Sequence, residues 1–153
     1  MILKNIIDED FSNYKVPSML LATPRCAMKC GAGNCHNNHL LTMPDIEVDI
    51  TSLIKRYLNN PITSAIVCAG LEPFDCFTPL YKFLENLRKH TSDMFIIYTG
   101  YTEEESAYYS KFLRRYKNII VKFGQYIPDL KSHYDEILGV HLASPNQYAK
   151  QIS

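Results

Sequence analysis

Three cysteine thiols lie close together in one short segment of the chain. Cys26, Cys30 and Cys35 follow the apolar run 19–22 and are surrounded by Gly, Asn, His and Lys residues. A structural cysteine typically behaves as a small buried hydrophobic residue within an apolar pattern, and these three do not. Thiolates grouped on a loop bind metal, form disulfides or carry out redox chemistry. This cysteine loop is therefore the candidate functional site.

Composition and charge narrow the possibilities. The 153 residues suit one domain with its own core, and 16 basic residues balance 16 acidic ones. A neutral chain has no overall field to attract nucleic acid or an anionic membrane. Residues 1–10 carry acids where a signal peptide needs an apolar run, and no stretch reaches the roughly 18 apolar residues of a membrane span. We expect a single cytoplasmic domain, residues 1–153, in which cysteines serve metal binding or catalysis ahead of disulfides.

Apolar strands alternate with amphipathic helices along the chain, which predicts an α/β domain with a mostly parallel sheet. A capping-box pattern, Thr102 followed by Glu105, opens one predicted helix. Thr78 as N-cap with Pro79 at the first helical position opens another. Residues 124–136 have no helical period and are predicted to be a loop, and residues 143–153 a short tail. The predicted strands are residues 2–7, 18–23, 65–69, 94–98, 119–123 and 137–142, and the remaining helix follows the apolar stripe of residues 50–58.

Four segments with unusual composition follow the predicted strands. They are the cysteine loop and residues 70–73, 99–102 and 124–125. The carboxyl ends of parallel strands meet at one edge of a sheet, where ligands bind in such folds. The sequence therefore predicts one site built from four strand ends.

Two metal centres fit the cysteine loop. Three thiolates can bind three irons of a [4Fe–4S] cluster and leave the fourth iron open to a ligand. Alternatively, the three cysteines and His39 have the residue types of a Cys3His zinc site. Zinc modules of that kind usually bind RNA, which a neutral chain does not favour. We therefore favour the cluster, and we expect Cys68 and Cys76 to be core thiols rather than further ligands.

The order of the motifs resembles that of radical S-adenosylmethionine enzymes, above all the small activating proteins of anaerobic ribonucleotide reductases. The family pairs a strand and C-x3-C-x-x-C with a second strand ending in Gly-Gly-Glu-Pro. This chain has C-x3-C-x4-C and Gly70-Leu71-Glu72-Pro73, so the last cysteine gap is two residues longer. The residue beside the last cysteine, usually aromatic in the family, is His36 here. Further matching motifs are Asp10-Phe11 with Asn13, Tyr98-Thr99-Gly100-Tyr101-Thr102 and Ser144-Pro145-Asn146-Gln147.

The resemblance implies a function for each part of the site. Cys26, Cys30 and Cys35 would hold a [4Fe–4S] cluster, and Glu72 with the backbone at Gly70 and Leu71 would receive the ammonium group of S-adenosylmethionine. The remaining cofactor-binding residues on this interpretation are Asn34 and His36 beside the adenine, Thr99 and Gly100 near the ribose or methionine, and Lys122 towards the carboxylate. Whether the Lys122 amine is buried or lies in solvent stays open, as does the role of His141.

The implied reaction is reductive cleavage of S-adenosylmethionine to methionine and a 5′-deoxyadenosyl radical, which abstracts hydrogen from a glycine of a partner. The partner would be a large glycyl-radical enzyme, an anaerobic ribonucleotide reductase, with flavodoxin or ferredoxin as electron donor. A full barrel needs about 250 residues, so an open, partial βα barrel is expected. Two alternatives remain, a radical enzyme acting on a small molecule or peptide and the non-enzymatic zinc module.

Overall fold

The computed structural model describes residues 1–29 and 31–153, so that the predicted ligand Cys30 lies outside the described residues. The strands within these ranges are β1 (Ile2–Leu3), β2 (Asn5–Asp10), β3 (Ser18–Thr23), β4 (Ile46–Glu47), β5 (Ala65–Gly70), β6 (Met94–Tyr98), β7 (Ile119–Phe123), β8 (His133–Asp135), β9 (Val140–Leu142) and β10 (Tyr148–Gln151). The α-helices are α1 (Ile50–Leu58), α2 (Phe77–Leu87) and α3 (Ala107–Leu113), and short 3-10 turns span Ala32–Asn34, Asn38–Leu41 and Pro73–Cys76.

A six-stranded sheet in the order β10-β7-β6-β5-β3-β2 forms the centre of the domain. The four inner strands are parallel, whereas β2 and β10 pair antiparallel at the two edges. Parallel neighbours require crossover connections, which α1, α2 and α3 supply. The prediction of an α/β domain with a mostly parallel sheet is confirmed. Two small ladders, β1 with β4 and β8 with β9, lie outside this sheet.

Alternate side chains of each inner strand enter two different cores. On one face, residues such as Ile66, Phe95 and Val121 pack with the buried side chains of all three helices. On the other face, Val67 and Ile96 pack against Tyr14, Leu138 and Leu142, which come from the segment after β2 and from the β8–β9 hairpin. Successive side chains of a strand point to opposite faces of the sheet, which explains this division. All three helices therefore lie on one face, and the other face is covered by loop and hairpin residues.

Most predicted elements have the expected positions, and two helix starts differ. The helix predicted from Thr78 begins at Phe77, directly after the 3-10 turn Pro73–Cys76, whose N-cap is Glu72. The predicted capping box is present, because Thr102 N donates to Glu105 Oε2 at 2.8 Å and Glu105 N to Thr102 Oγ1 at 3.2 Å. The regular helix nevertheless starts later, at Ala107. In both places a tight turn precedes the α-helix.

The C-terminal third departs further from the prediction. The loop predicted over residues 124–136 contains β8, and the strand predicted over 137–142 is shortened to β9. The predicted tail contains β10, an edge strand of the central sheet. Only Ala149 among the β10 side chains is buried, so the strand has almost no apolar signal. Backbone pairing with β7 and the side chain of Asp135, which accepts from Ala149 N at 2.9 Å, hold it in place.

Candidate functional site

A cavity of about 380 Å³ opens at the carboxyl ends of β3, β5, β6 and β7. All four segments predicted to converge, the cysteine loop and the residues after the three other strands, contribute to its lining. Its volume lies within the range of small-molecule binding sites. The sequence-based prediction of one site built from four strand ends is confirmed as a geometric arrangement.

Cys26 and Cys35 both line this cavity, and both are half-buried. Met28 lies between them in the left-handed conformation, with φ of 54°, which is uncommon for a residue with a side chain. Its amide donates to Cys26 Sγ over 3.2 Å. Backbone N–H groups aimed at cysteine sulfurs stabilise thiolates and tune the potentials of iron–sulfur clusters. The hydrogen bond from the Met28 amide therefore favours a thiolate at Cys26.

Hydrogen bonds and a cation–π contact hold the cysteine loop against the strand ends. At its start, Ala27 N donates to Asp75 Oδ2 at 2.6 Å, and the Lys29 amine lies 4.0 Å from the centre of the Tyr101 ring. Towards its end, Asn37 Nδ2 donates to the carbonyl of Gly70 at 2.8 Å. Charged and amide groups from the loop thus fix both of its sides to the sheet. The carbonyl of Gly70 keeps one lone pair for a further donor.

Glu72 is the most constrained polar side chain of the site, with 3% of its surface exposed. Oε1 accepts from Thr99 Oγ1 at 2.7 Å and from Phe74 N at 3.1 Å, and Oε2 accepts from Gly100 N at 2.9 Å. Burial raises the pKa of the Glu72 carboxyl, and the hydrogen bonds from Gly100, Thr99 and Phe74 oppose that rise. A carboxylate has about four acceptor positions, and three are used. Glu72 therefore caps the 3-10 turn and also offers one acceptor position to a bound cation.

Lys122 is buried beside this carboxylate. β7 is an inner strand, so the solvent-exposed alternative for the amine is wrong: 6% of the residue is exposed. Nζ donates to the carbonyl of Gly124 at 2.8 Å. Burial lowers the pKa of Lys122 to about 8, and the negative charge of Glu72 partly offsets this. The cavity thus contains one acidic and one basic group that are both largely removed from solvent.

The other predicted residues divide into those that line the cavity and one that does not. Residues that line it are His36, Gly70, Leu71, Glu72, Thr99, Gly100 and Lys122. Asn34 is exposed in a 3-10 turn and is not among the lining residues. The ring of His36 lies 5.1 Å from that of Tyr126, across the cavity mouth. His141 also lines the cavity, as an exposed side chain against Tyr134.

The remaining thiols are core residues, as expected. Cys68 is fully buried in β5, and burial raises its pKa. Cys76 is 9% exposed, and burial raises its pKa too. His39 is exposed in the turn Asn38–Leu41 and does not line the cavity. Among the described cysteines, these positions leave Cys26 and Cys35 at the site.

Asp75, Asn37 and Tyr101 are important residues of the site that sequence reasoning did not assign. Asp75 accepts from Ala27 N and also from the hydroxyl of Tyr101. Tyr101 belongs to the motif after β6, and Asp75 follows Glu72 within one turn, so both positions had a local signal. Asn37 had none, because its partner is a backbone carbonyl that is distant in sequence.

The donor set fits an iron–sulfur cluster only with Cys30 included. Among residues 1–29 and 31–153, no group of three His, Cys, Asp or Glu side chains is placed to hold a metal ion. Cys26 and Cys35 supply two thiols at one cavity, and the third position of the motif lies between them in sequence. Thiolates are the ligands that such clusters require. The residues present are thus consistent with a cluster whose third ligand is Cys30.

Comparisons with known proteins provide no family assignment: no family model, no curated protein and no solved structure matches the chain. In the described ranges, the helices are all too short or too polar to cross a membrane. The site therefore has to be interpreted from its own geometry and from the motif resemblance.

Proposed function

We propose that the chain is a radical S-adenosylmethionine activase that generates a glycyl radical on a partner anaerobic ribonucleotide reductase. One observation carries the proposal. Two cysteines of the C-x3-C-x4-C motif and the buried carboxylate of Glu72 line a single cavity at the ends of parallel strands. This is the combination of groups that a cluster and an amino-acid cofactor require together.

The cavity offers complementary groups to both ends of an amino acid. The remaining acceptor position of Glu72 and the carbonyl of Gly70 suit the ammonium group of S-adenosylmethionine. The Lys122 amine suits its carboxylate, because a buried cation gains more from an anionic partner than an exposed one does. Thr99 and Gly100 orient Glu72 through their hydrogen bonds and so act as positioning residues.

The cysteine loop supplies the proposed ligands of the iron–sulfur cluster. Cys26, Cys30 and Cys35 are the proposed ligands, and the Met28 amide stabilises the thiolate of Cys26. When bound, a reduced [4Fe–4S] cluster and S-adenosylmethionine supply one electron and a carbon-centred radical. The chain's own contribution is to orient the cofactor, to keep the carboxylate and amine in place, and to limit the access of water.

The fold is compatible with a protein substrate. We interpret the four parallel strands, with all their helices on one face, as an open, partial βα barrel. Such a sheet leaves one side of the cavity available to a glycine-bearing loop of a large partner. Flavodoxin or ferredoxin is the proposed electron donor.

The two alternatives make different demands on the same residues. A radical enzyme acting on a small molecule or peptide would use the same cluster and cofactor. Unlike the activase, it would have no reductase partner. A Cys3His zinc site needs His39 near the thiols, and the position of His39 outside the cavity disfavours it.

Anaerobic reconstitution with iron and sulfide tests the proposal. We expect a brown protein that releases 5′-deoxyadenosine when dithionite and S-adenosylmethionine are added, and no release from the Cys30→Ala variant. Glu72→Gln is the more specific variant: it should keep the iron content and lose S-adenosylmethionine binding, measured by calorimetry. Cys68→Ala is the matched control, because that thiol is buried in the core, and it should leave iron uptake unchanged.

The outcomes separate the three functions. A glycyl radical signal in an anaerobic ribonucleotide reductase incubated with the loaded protein supports the activase. Cleavage of S-adenosylmethionine without that signal supports the small-molecule or peptide enzyme. Stoichiometric zinc binding with no iron uptake refutes both radical functions.

A further inference from the structure

A continuous chain of aromatic rings leads from the cavity to the outer surface of the helices. Tyr101 lines the cavity, and its ring centre lies 6.5 Å from that of Tyr109. Tyr109 lies 5.6 Å from Tyr108 on α3, of which 67% is exposed. Phe74 stacks on Tyr109 at 4.7 Å and lies 6.2 Å from Tyr101, which closes the gap between them. Three tyrosines therefore connect the cavity to solvent through ring contacts.

Core packing explains only part of this arrangement. Phe74 is a buried core residue, and the half-buried Tyr109 packs against the core. Tyr108, in contrast, buries little surface, yet its ring contacts both Tyr109 and Phe112, the latter at 5.1 Å. At the other end, the Tyr101 hydroxyl donates to the carboxylate of Asp75. A tyrosine loses an electron readily only when its phenol proton has an acceptor, and Asp75 supplies one within the site.

We propose that Tyr101, Tyr109 and Tyr108 form a relay that carries an oxidising equivalent from the cavity to solvent. A one-electron oxidant in the cavity takes an electron from Tyr101, and the phenol proton moves to Asp75. Tyr109, which is partly exposed, then gives an electron to Tyr101 and its phenol proton to water, while Tyr101 regains its own proton from Asp75. Tyr108 gives an electron to Tyr109, which takes a proton back from water, and Tyr108 releases its own phenol proton to water. The net change is one electron and one proton lost from Tyr108, and one electron gained by the oxidant.

The biological use of the relay rests on the proposed function, although the relay itself does not. A carbon-centred radical that meets no partner glycine in the cavity takes up the electron from the relay and a proton from water, and so forms a C–H bond. The tyrosyl radical then resides at Tyr108, where a small reductant such as ascorbate removes it by one-electron transfer. The cysteine loop is thereby spared oxidation.

A tethered photo-oxidant tests the relay without any cluster. In a full-length chain carrying Cys26→Ser and Cys30→Ser, a ruthenium complex is attached to Cys35 at the cavity, while the buried Cys68 and Cys76 stay unlabelled. Flash oxidation with a cobalt(III) quencher is followed by spin trapping and peptide mass spectrometry. We expect the trapped adduct mainly on Tyr108.

Conservative variants distinguish the relay from random surface oxidation. Tyr109→Phe keeps the ring and should reduce the adduct on Tyr108 several-fold while raising the adduct on Tyr101. Tyr134→Phe is the control, since Tyr134 is 55% exposed on the hairpin and outside the relay, and it should change nothing. Equal adducts on Tyr108 and Tyr134, or an unchanged Tyr108 adduct in Tyr109→Phe, overturn the proposal. Because no cluster is present, failure of the proposed function leaves this result intact.

Discussion

The buried amine of Lys122 makes the stability of the chain depend on pH in a calculable way. In the unfolded chain this lysine has the ordinary pKa of 10.5, whereas in the folded chain burial lowers its pKa to about 8. Between these two pH values the unfolded state binds more protons than the folded state. The free energy of unfolding must therefore rise with pH in this window. Below about pH 8 the full cost of burying the charge remains.

The magnitude follows from the difference between the two pKa values. At 1.36 kcal/mol per pKa unit, keeping Lys122 charged in the folded state costs about 3 kcal/mol at neutral pH. By the linkage relation, this cost falls by about 2 kcal/mol as the pH rises from about 7 to about 9.5. Lys122→Met removes the titrating group while keeping a side chain of similar length. As the pH rises across that range, the free energy of unfolding of the wild-type chain should thus increase by about 2 kcal/mol relative to that of Lys122→Met.

Urea unfolding at a series of pH values measures this difference directly. Comparison with the variant cancels the titration of other groups, and Lys131→Met, at an exposed position, is the matched control that should follow the wild-type profile. Loss of the Lys122–Gly124 hydrogen bond adds an offset to the stability of the variant, and a constant offset does not change the difference in slope between about pH 7 and about pH 9.5. Parallel profiles for wild type and Lys122→Met refute the inference that burial lowers the pKa of this amine.

Two further predictions concern the backbone of the site. Gly70→Ala should destabilise the chain by about 2 kcal/mol or more in urea unfolding, because φ is +98° and a Cβ would lie 2.7 Å from Thr23 N; Gly33→Ala, with no atom within 4 Å of its Cβ, should have little effect. Asp75→Ala removes the acceptor of Ala27 N and should speed hydrogen exchange of residues 26–29 while exchange in β5 is unchanged; equal exchange in both chains contradicts the anchoring function of Asp75.

The parallel core of the fold was predictable because its strands are continuous apolar runs. Residues 18–23 and 119–123 were assigned with the bounds that the structure has, since a strand buried on both faces requires such a run. β10 was missed because an edge strand is held by backbone pairing with β7 and needs only one buried side chain, Ala149. Helix starts were misplaced where a tight turn leads into the helix, as at Phe77.

The site was predictable at the level of position rather than of contacts. Convergence of the strand ends follows from parallel topology, and it placed Glu72 and Thr99 at one cavity. The burial of the Lys122 amine could not be derived, because it depends on β10 covering what would otherwise be a sheet edge. Contacts such as Asn37 with the Gly70 carbonyl depend on the path of an irregular loop, for which the sequence has no periodic signal.

The β8–β9 hairpin lies beside the cavity and covers part of the second face of the central sheet. A two-stranded hairpin is marginally stable by itself, and this one contributes few buried apolar side chains, Leu142 from a strand and Leu138 from the connection. Leu142 also lines the cavity. Detachment of the hairpin would uncover Val67 and Ile96 and break the contact of Asp135 with Ala149 N, whereas the helical face of the sheet would stay packed. A ligand too large for the mouth of the closed cavity can exchange through this opening without unfolding of the domain.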